Sequence, residues 1–385
     1  MAMALTRPRT AGSSLILALG LAAPPAAAAD ARAQDTTLRA ATGVAPEQPR
    51  DSSGGPYFYR GLSYGSDAYM NPLAIILNKG YAVSVIESWN RRVFDPYGFR
   101  SVGDALAHPL AAIERGGGWW NFIRFEMLPL SYQDQDPKWI TNYFGHVFEG
   151  GVYYRRLTEW YQAKGLPLPA LAAGVTTLAA AVLNEAYEMR GQEVGSAGTV
   201  ADLYFFDFAG VALFSFESVP RFFAQKLHAD VWVGQASVVL PSGELANNSN
   251  MLFFKFPWKL VPSSSLFLWT GIGSQAGLAF HRPNGLDITV GLGTDTEQRR
   301  VDPVTGEETI RLASAAGLFI DRNGSLLATL HLTEVRHRLL RVNVYPGVLP
   351  GLARKFGAWA ILSRDMKLSL GITHQWLGAG LGVGR

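Results

Sequence analysis

The chain has 385 residues, 48% hydrophobic and only 17% charged, with 41 glycines and no cysteine; an ordinary soluble domain carries about a quarter charged residues. Without cysteine there is no disulfide framework, thiol nucleophile or thiolate metal site. A formal net charge of +3, with no basic run to track a phosphate backbone and no G-x-x-x-x-G-K-[ST] loop, leaves no nucleic-acid partner to expect.

Residues 1–29 read as a secretory signal peptide: Arg7 and Arg9 precede the apolar run "LILALGLAAPPAAAA", which ends in small residues near Ala29. That run is short and holds Pro24 and Pro25, so cleavage is expected rather than anchoring. Residues 30–56 lack apolar periodicity and are rich in Ala, Ser, Gly, Pro and charge, the composition of a flexible leader.

From 57 to 223 the pattern is that of a helical module. Pro72 opens one helix, Gly103 to Glu114 carry another, and Asp136-Pro137 supply the cap and first-turn proline of a third. The third contains "WITNYFGHVFEGGVYYRR" (139–156), where Asn142, His146, Glu149, Tyr153 and Arg156 recur at intervals of four, three, four and three. That spacing puts them on one helix face, as a structural polar seam between helices or a solvated stripe.

After "KGLPLP" the chain is uncharged from Leu168 through Asn184, then acidic at Glu185 and Glu188. A helix apolar on all sides is a buried one. The short connection predicts an antiparallel pair, with Glu185 returning toward His146 or Asn142 and Glu188 toward Trp139. In the next helix, "TVADLYFFDFAGVALFSF", Thr199 and Asp202 have capping-box spacing, and Asp207, five positions on, falls on a different face of an α-helix.

Beyond about Lys226 the period changes from 3.6 to 2, and residues 224–385 read as an antiparallel β-barrel-like domain of about eight strands. In "LDITVGLGTD" and "MKLSLGITHQW" apolar residues alternate with Gly, Ser, Thr and charge. Turn signals at "RPNG", "DPVTG", "DRNG" and "SRDM" separate the strands, and Trp376 is the candidate terminal aromatic of the last one. The strand lengths suit a tilted crossing of a bilayer, while a soluble sandwich or lipocalin-like barrel is the other reading. The fold class is therefore α+β, a helical module followed by a barrel-like domain.

The helical block W-x-T-N-x-x-x-H (Trp139, Thr141, Asn142, His146), then G-x-Y-Y-x-R (Gly151, Tyr153, Tyr154, Arg156), Glu185 and Glu188, and Ser196 with Asp202 resembles an uncharacterised family of bacterial envelope proteins, a domain of unknown function. The resemblance spans roughly residues 138–214, with Asn184 where the family pattern has tryptophan and Val147 where it has proline. It implies an envelope location and a helical block, and no reaction.

The candidate chemical residues are His146, Glu149, Glu185, Glu188 and Asp202. Histidine with carboxylates suits a divalent metal or acid–base work, though the spacing matches neither H-E-x-x-H nor the Glu-x-x-His of di-iron bundles. The bland alternatives are a hydrogen-bonded His146, a capping Asp202, a solvated Glu188 and a buried ion pair of Glu185 with Arg155 or Arg156. The expectation is an exported outer-membrane or periplasmic protein with a structural or lipid-handling role, membrane lipid as partner and no cofactor. The alternative is an envelope enzyme with a His/carboxylate site, its metal unknown.

Overall fold

The computed structural model describes residues 55–86, 96–128, 140–189, 194–301 and 308–384. The expected signal peptide, nearly all of the leader, Asp136-Pro137, Trp139 and the "DPVTG" turn lie outside these residues. Helices and strands from Pro56 onward belong to one compact unit.

Nine helices lie among the described residues. They are α1 (Gly65–Tyr69), α2 (Pro72–Gly80), α3 (Pro96–Ala107), α4 (Pro109–Arg115), α5 (Gly118–Asn121 running into Phe122–Met127), α6 (Ile140–Glu149 continuing as Gly150–Ala163), α7 (Pro169–Glu188), α8 (Ala197–Ser215) and α9 (Ser218–Gln225). Proline opens α2, α4 and α7, where its missing N–H costs nothing. The Asn71 side chain caps α2 by accepting from the Ala74 N–H at 3.0 Å. The expected helix at Gly103 to Glu114 is two helices broken at His108, because Pro109 cannot continue α3.

Thirteen strands form one sheet: β1 (Ala229–Val233), β2 (Ser237–Leu240), β3 (Glu244–Ala246), β4 (Asn250–Trp258), β5 (Ser264–Gly271), β6 (Ser274–His281), β7 (Leu286–Val301), β8 (Glu308–Arg322), β9 (Ser325–Thr333), β10 (Leu340–Val344), β11 (Phe356–Leu362), β12 (Leu368–His374) and β13 (Gly380–Gly384). The order is β1-β4-β5-β6-β7-β8-β9-β10-β11-β12-β13-β2-β3, antiparallel except for β13 with β2. At the "DRNG" hairpin Asn323 and Gly324 take φ of 53° and 77°, the left-handed pair that a tight two-residue turn requires.

The strand count corrects the expected eight, and Trp376 lies before the last strand, between β12 and β13. Nor does the expected barrel close by hydrogen bonds, since β1 and β3 are the two edges of an open sheet. The sheet is nevertheless rolled. Only Gly234, Gln235 and Ala236 separate β1 from β2, a gap of roughly 14 Å at full stretch. Trp232 on β1 stacks on Phe319 of β8 at 5.5 Å, although β8 is five places away in strand order and a flat sheet would set them more than about 20 Å apart. Helical side chains bind the chain that bridges the seam and the start of β4. Asn78 donates to the Gly234 carbonyl at 3.0 Å and accepts from the Ser249 N–H at 2.8 Å, while the Tyr69 hydroxyl donates to the Ala236 carbonyl at 3.1 Å.

The inner side of the roll holds the stacked rings of Trp232, Phe253, Phe267 and Phe319. Beside them Lys255 bridges Asp287 and Asp321 at 2.7 and 2.6 Å, and Arg338 meets Asp295 at 2.9 Å. The outer side is apolar. Strand register aligns Phe256, Leu266, Leu278, Val290, Leu318, Leu330, Val342, Ala360, Leu370, Val383 and Leu240 in one unbroken row from β4 around to β2. The helical module covers this outer side at β1 and β4, where Tyr153, Leu157 and Phe214 share a core with Val231, Leu252 and Phe254.

A buried ion network ties the module to the sheet. Arg156 of α6 and Arg60 both contact Asp67 of α1 and Asp230 of β1, with Arg156 Nη1 at 3.0 Å from Asp230 Oδ1. Buried charges are tolerated only when paired, so these contacts tie the position of α6 to that of β1.

Candidate functional site

The five polar residues of α6 are all buried, none more than 6% exposed. They serve two ends of the helix. Arg156 reaches the sheet as described, while Asn142 donates to the Glu126 carbonyl at 2.9 Å and His146 enters a cluster of carboxylates. The residues of this stripe therefore meet protein groups rather than water.

Two glycines let α6 and α8 approach closely enough for that cluster. A Cβ on Gly151 would lie 2.1 Å from the Phe214 ring, and one on Gly210 would lie 2.7 Å from the Val147 carbonyl. Across this crossing His146 Nδ1 meets Asp207 Oδ2 at 3.1 Å, and Lys79, the last basic residue of α2, reaches Asp207 Oδ1 at 3.3 Å. On the other side of the imidazole, Nε2 lies 4.0 Å from Asp202 Oδ1. Ligand atoms of His146, Glu185 and Asp202 all fall within 4.8 Å of one another.

Asp202 and Asp207 face the same histidine because the helix between them widens. Residues Asp202–Phe206 form a π turn, and the Asp207 N–H donates to the Asp202 carbonyl, five residues back. The expected capping role of Asp202 and the different face of Asp207 are both corrected here. The cap of α8 is Ser196, whose hydroxyl accepts from the Thr199 N–H at 3.1 Å. The stretch Ile140–Glu149 of α6, which carries His146, is a π helix as well.

The antiparallel register of α6 and α7 brings Glu185 to His146, as their short connection predicts. Glu188 lies near the start of α6, sharing a cavity wall with Thr141 and accepting from Asn184 at 3.2 Å. The expected pairing of Glu185 with Arg155 or Arg156 is not formed: Arg155 serves Glu159 and Glu217, and Arg156 serves Asp67 and Asp230. Glu149 is not among the three residues whose ligand atoms converge, and the charges that act on it are Lys79 and then His146. Lys79 is the member that sequence reasoning missed, since a lone lysine at a helix end carries no signal.

Low dielectric and like charge shape the cluster. Burial opposes a charge on His146, yet Asp207 and Asp202 outweigh it and hold the imidazolium up to about 10. Burial pushes Glu149 up to about 8 against the pull of Lys79 and His146. Burial also raises Asp202 to about 7 and Glu185 well above the carboxylate range, each reinforced by neighbouring acids. Asp207 is held low despite burial, by Lys79 and then His146. The arrangement can store protons or accept a cation, and its chemical donors are one imidazole nitrogen and carboxylate oxygens. A cavity of about 90 Å³ lined by His146, Glu149, Asn184, Glu188 and Ile272 runs between the cluster and the end of β5.

Comparison of the chain with models of protein families, with curated proteins and with solved structures finds no match.

Proposed function

We propose that this is an envelope protein seated in a membrane, in which the outer side of the rolled sheet meets lipid and the helical module is docked against one flank, with a structural or lipid-handling role. The observation that carries this reading is the inversion of the strand faces. Along β12 and β13, Leu368, Leu370, Ile372, Leu381 and Val383 are exposed, whereas Thr373, Gly380 and Gly382 on the opposite side are buried. Along β9, Leu330 and Leu332 are exposed while Thr329, His331 and Thr333 are buried. A water-soluble sheet buries its apolar face; a lipid-facing one turns it outward. The rows are continuous across strands, so the exposed surface is a belt rather than a scatter of single side chains.

The stacked rings and ion pairs inside the roll favour a filled scaffold over an open conduit. Two helices, Pro169–Glu188 and Ala197–Ser215, are long and apolar enough to cross a membrane by length and composition, but half of each is packed inside the protein as in a core helix, and the membrane reading does not rest on them. The test is fractionation of cells expressing the full chain, followed by alkaline carbonate extraction and reconstitution into phospholipid vesicles. Retention in the membrane pellet is the expected result. Recovery as a monodisperse protein without detergent would overturn the reading.

A further inference from the structure

We propose that the cluster between α6, α7 and α8 is a binding site for one divalent transition-metal ion of the manganese, iron or zinc class, ligated by His146 Nε2, Glu185 and Asp202 and oriented by Asp207. The proposal is independent of the membrane reading, because it concerns the interior of the helical module.

Geometry supplies the first argument. Three different helices each deliver one ligand atom, and the three atoms lie within 4.8 Å of one another. Metal bonds of about 2.0–2.2 Å place neighbouring ligand atoms roughly 3–4 Å apart, so the observed 4.0 Å between Nε2 and Asp202 Oδ1 needs only a small side-chain adjustment. The second argument is the orientation of the imidazole. Asp207 engages Nδ1 at 3.1 Å and leaves Nε2 turned to the acids. A carboxylate behind one ring nitrogen fixes the tautomer and raises the ligand strength of the other, the usual support for a metal-binding histidine.

The third argument is a pair of buried acceptors left without a protein donor. Glu185 is 1% exposed, and its Oε1, like Asp202 Oδ1, has no hydrogen-bond partner. Buried acceptors are rarely left this way without an ion or water to take them. Lys79 is engaged by Asp207 on the far side of the histidine, and among the described residues no lysine or arginine is paired with Glu185 or Asp202. The donor set then selects the ion: calcium and magnesium take oxygen ligands, whereas an imidazole among carboxylates suits manganese, iron and zinc. Three protein ligands leave coordination positions for water, and the neighbouring cavity provides space for it.

The experiment uses the full chain in detergent, stripped with chelator, dialysed, and titrated separately with Mn²⁺, Fe²⁺ under anaerobic conditions, and Zn²⁺. Bound metal is measured by elemental analysis and binding by calorimetry. At least one of the three ions is expected to bind at about one equivalent per chain and to raise the melting temperature. Asp207→Asn should weaken that binding about 10- to 100-fold, and Glu185→Gln and Asp202→Asn at least tenfold, with the metal-dependent melting shift lost. Glu185→Gln keeps the side-chain shape and the near-neutral state that burial imposes on Glu185, so it should fold with a metal-free melting temperature close to that of the wild type. Glu217→Gln, on the distant Arg155 pair, should bind as the wild type does. Absence of stoichiometric binding at micromolar free metal for all three ions would overturn the proposal. So would equal affinity in Glu185→Gln and Asp202→Asn, or displacement of the metal by millimolar calcium.

Discussion

The Asp207 N–H donates to the Asp202 carbonyl across a five-residue turn, and this one widened turn puts both carboxylates on the same histidine. A regular α-helix would separate the two acids by more than a third of a turn. The π turn thus converts two residues of an apolar helix into opposite walls of one site, at the cost of poorer backbone geometry.

That arrangement depends on the close crossing of α6 and α8. A Cβ at position 210 would lie 2.7 Å from the Val147 carbonyl and 3.0 Å from that of His146, and backbone atoms cannot swing aside. Gly210→Val should therefore destabilise the protein by about 1–3 kcal/mol, the usual cost of overpacking. It should also lengthen the His146–Asp207 contact. A denaturant midpoint equal to the wild type would show that the crossing has slack.

Glu149 makes a prediction about pH. Its folded pKa is about 8, against about 4.3 in an unfolded chain. A group with a raised folded pKa contributes stability that is complete below the unfolded value and lost as pH rises through the folded value. The metal-free protein should lose stability between about pH 4 and pH 8. Glu149→Gln should lessen that slope and be more stable than the wild type at pH 8 by a few kcal/mol, an order of magnitude set by burial of the charged form. Thermal melts of both proteins at pH 5 and pH 8 decide it; parallel pH profiles would refute the assignment.

Arg156 is 0% exposed and holds both Asp67 and Asp230. Arg156→Met keeps much of the volume but leaves two buried carboxylates with Arg60 alone. The expected loss is about 3–5 kcal/mol, as for other buried pairs broken on one side. The triple change that also makes Asp67→Asn and Asp230→Asn should recover part of it, because the uncompensated charges are then gone. Loss below about 0.5 kcal/mol in the single variant, measured by chemical denaturation, would mean that the network is not desolvated.

Much of this architecture is legible in the sequence. The alternation of "LDITVGLGTD" and "MKLSLGITHQW" gives the two faces of β7 and β12, and Asn323-Gly324 gives the hairpin between β8 and β9. The intervals along α6 mark the buried stripe, and the short connection after it brings Glu185 to His146. What local pattern cannot carry is the number of strands in a sheet with short members such as β2 and β3, or the open seam whose β1–β2 connector Asn78 and Tyr69 of the helical module hold. The shared orientation of Asp202 and Asp207 is hidden for a different reason: it follows from a helix of non-standard period, and a fixed 3.6-residue wheel places them apart.

The outward apolar row gives the sharpest distinction between lipid and water. Leu370 is 45% exposed at the middle of β12, and its register neighbours Ala360 and Val383 continue the row on both sides. Met366, 73% exposed, sits in the turn between β11 and β12, off the row. If the row faces hydrocarbon, Leu370→Arg should cost about 2–4 kcal/mol in vesicles, the cost of an arginine near the midplane of a barrel wall. Met366→Arg should change stability by less than about 0.5 kcal/mol, as at an ordinary surface position. If the row faces water, an exposed arginine on a strand is tolerated and both variants fall within the same half kcal/mol. Urea unfolding of the three proteins in the same vesicles separates the cases. A large loss for Leu370→Arg with none for Met366→Arg places lipid against the row, and equal small changes at both positions would remove the bilayer from the account of this sheet.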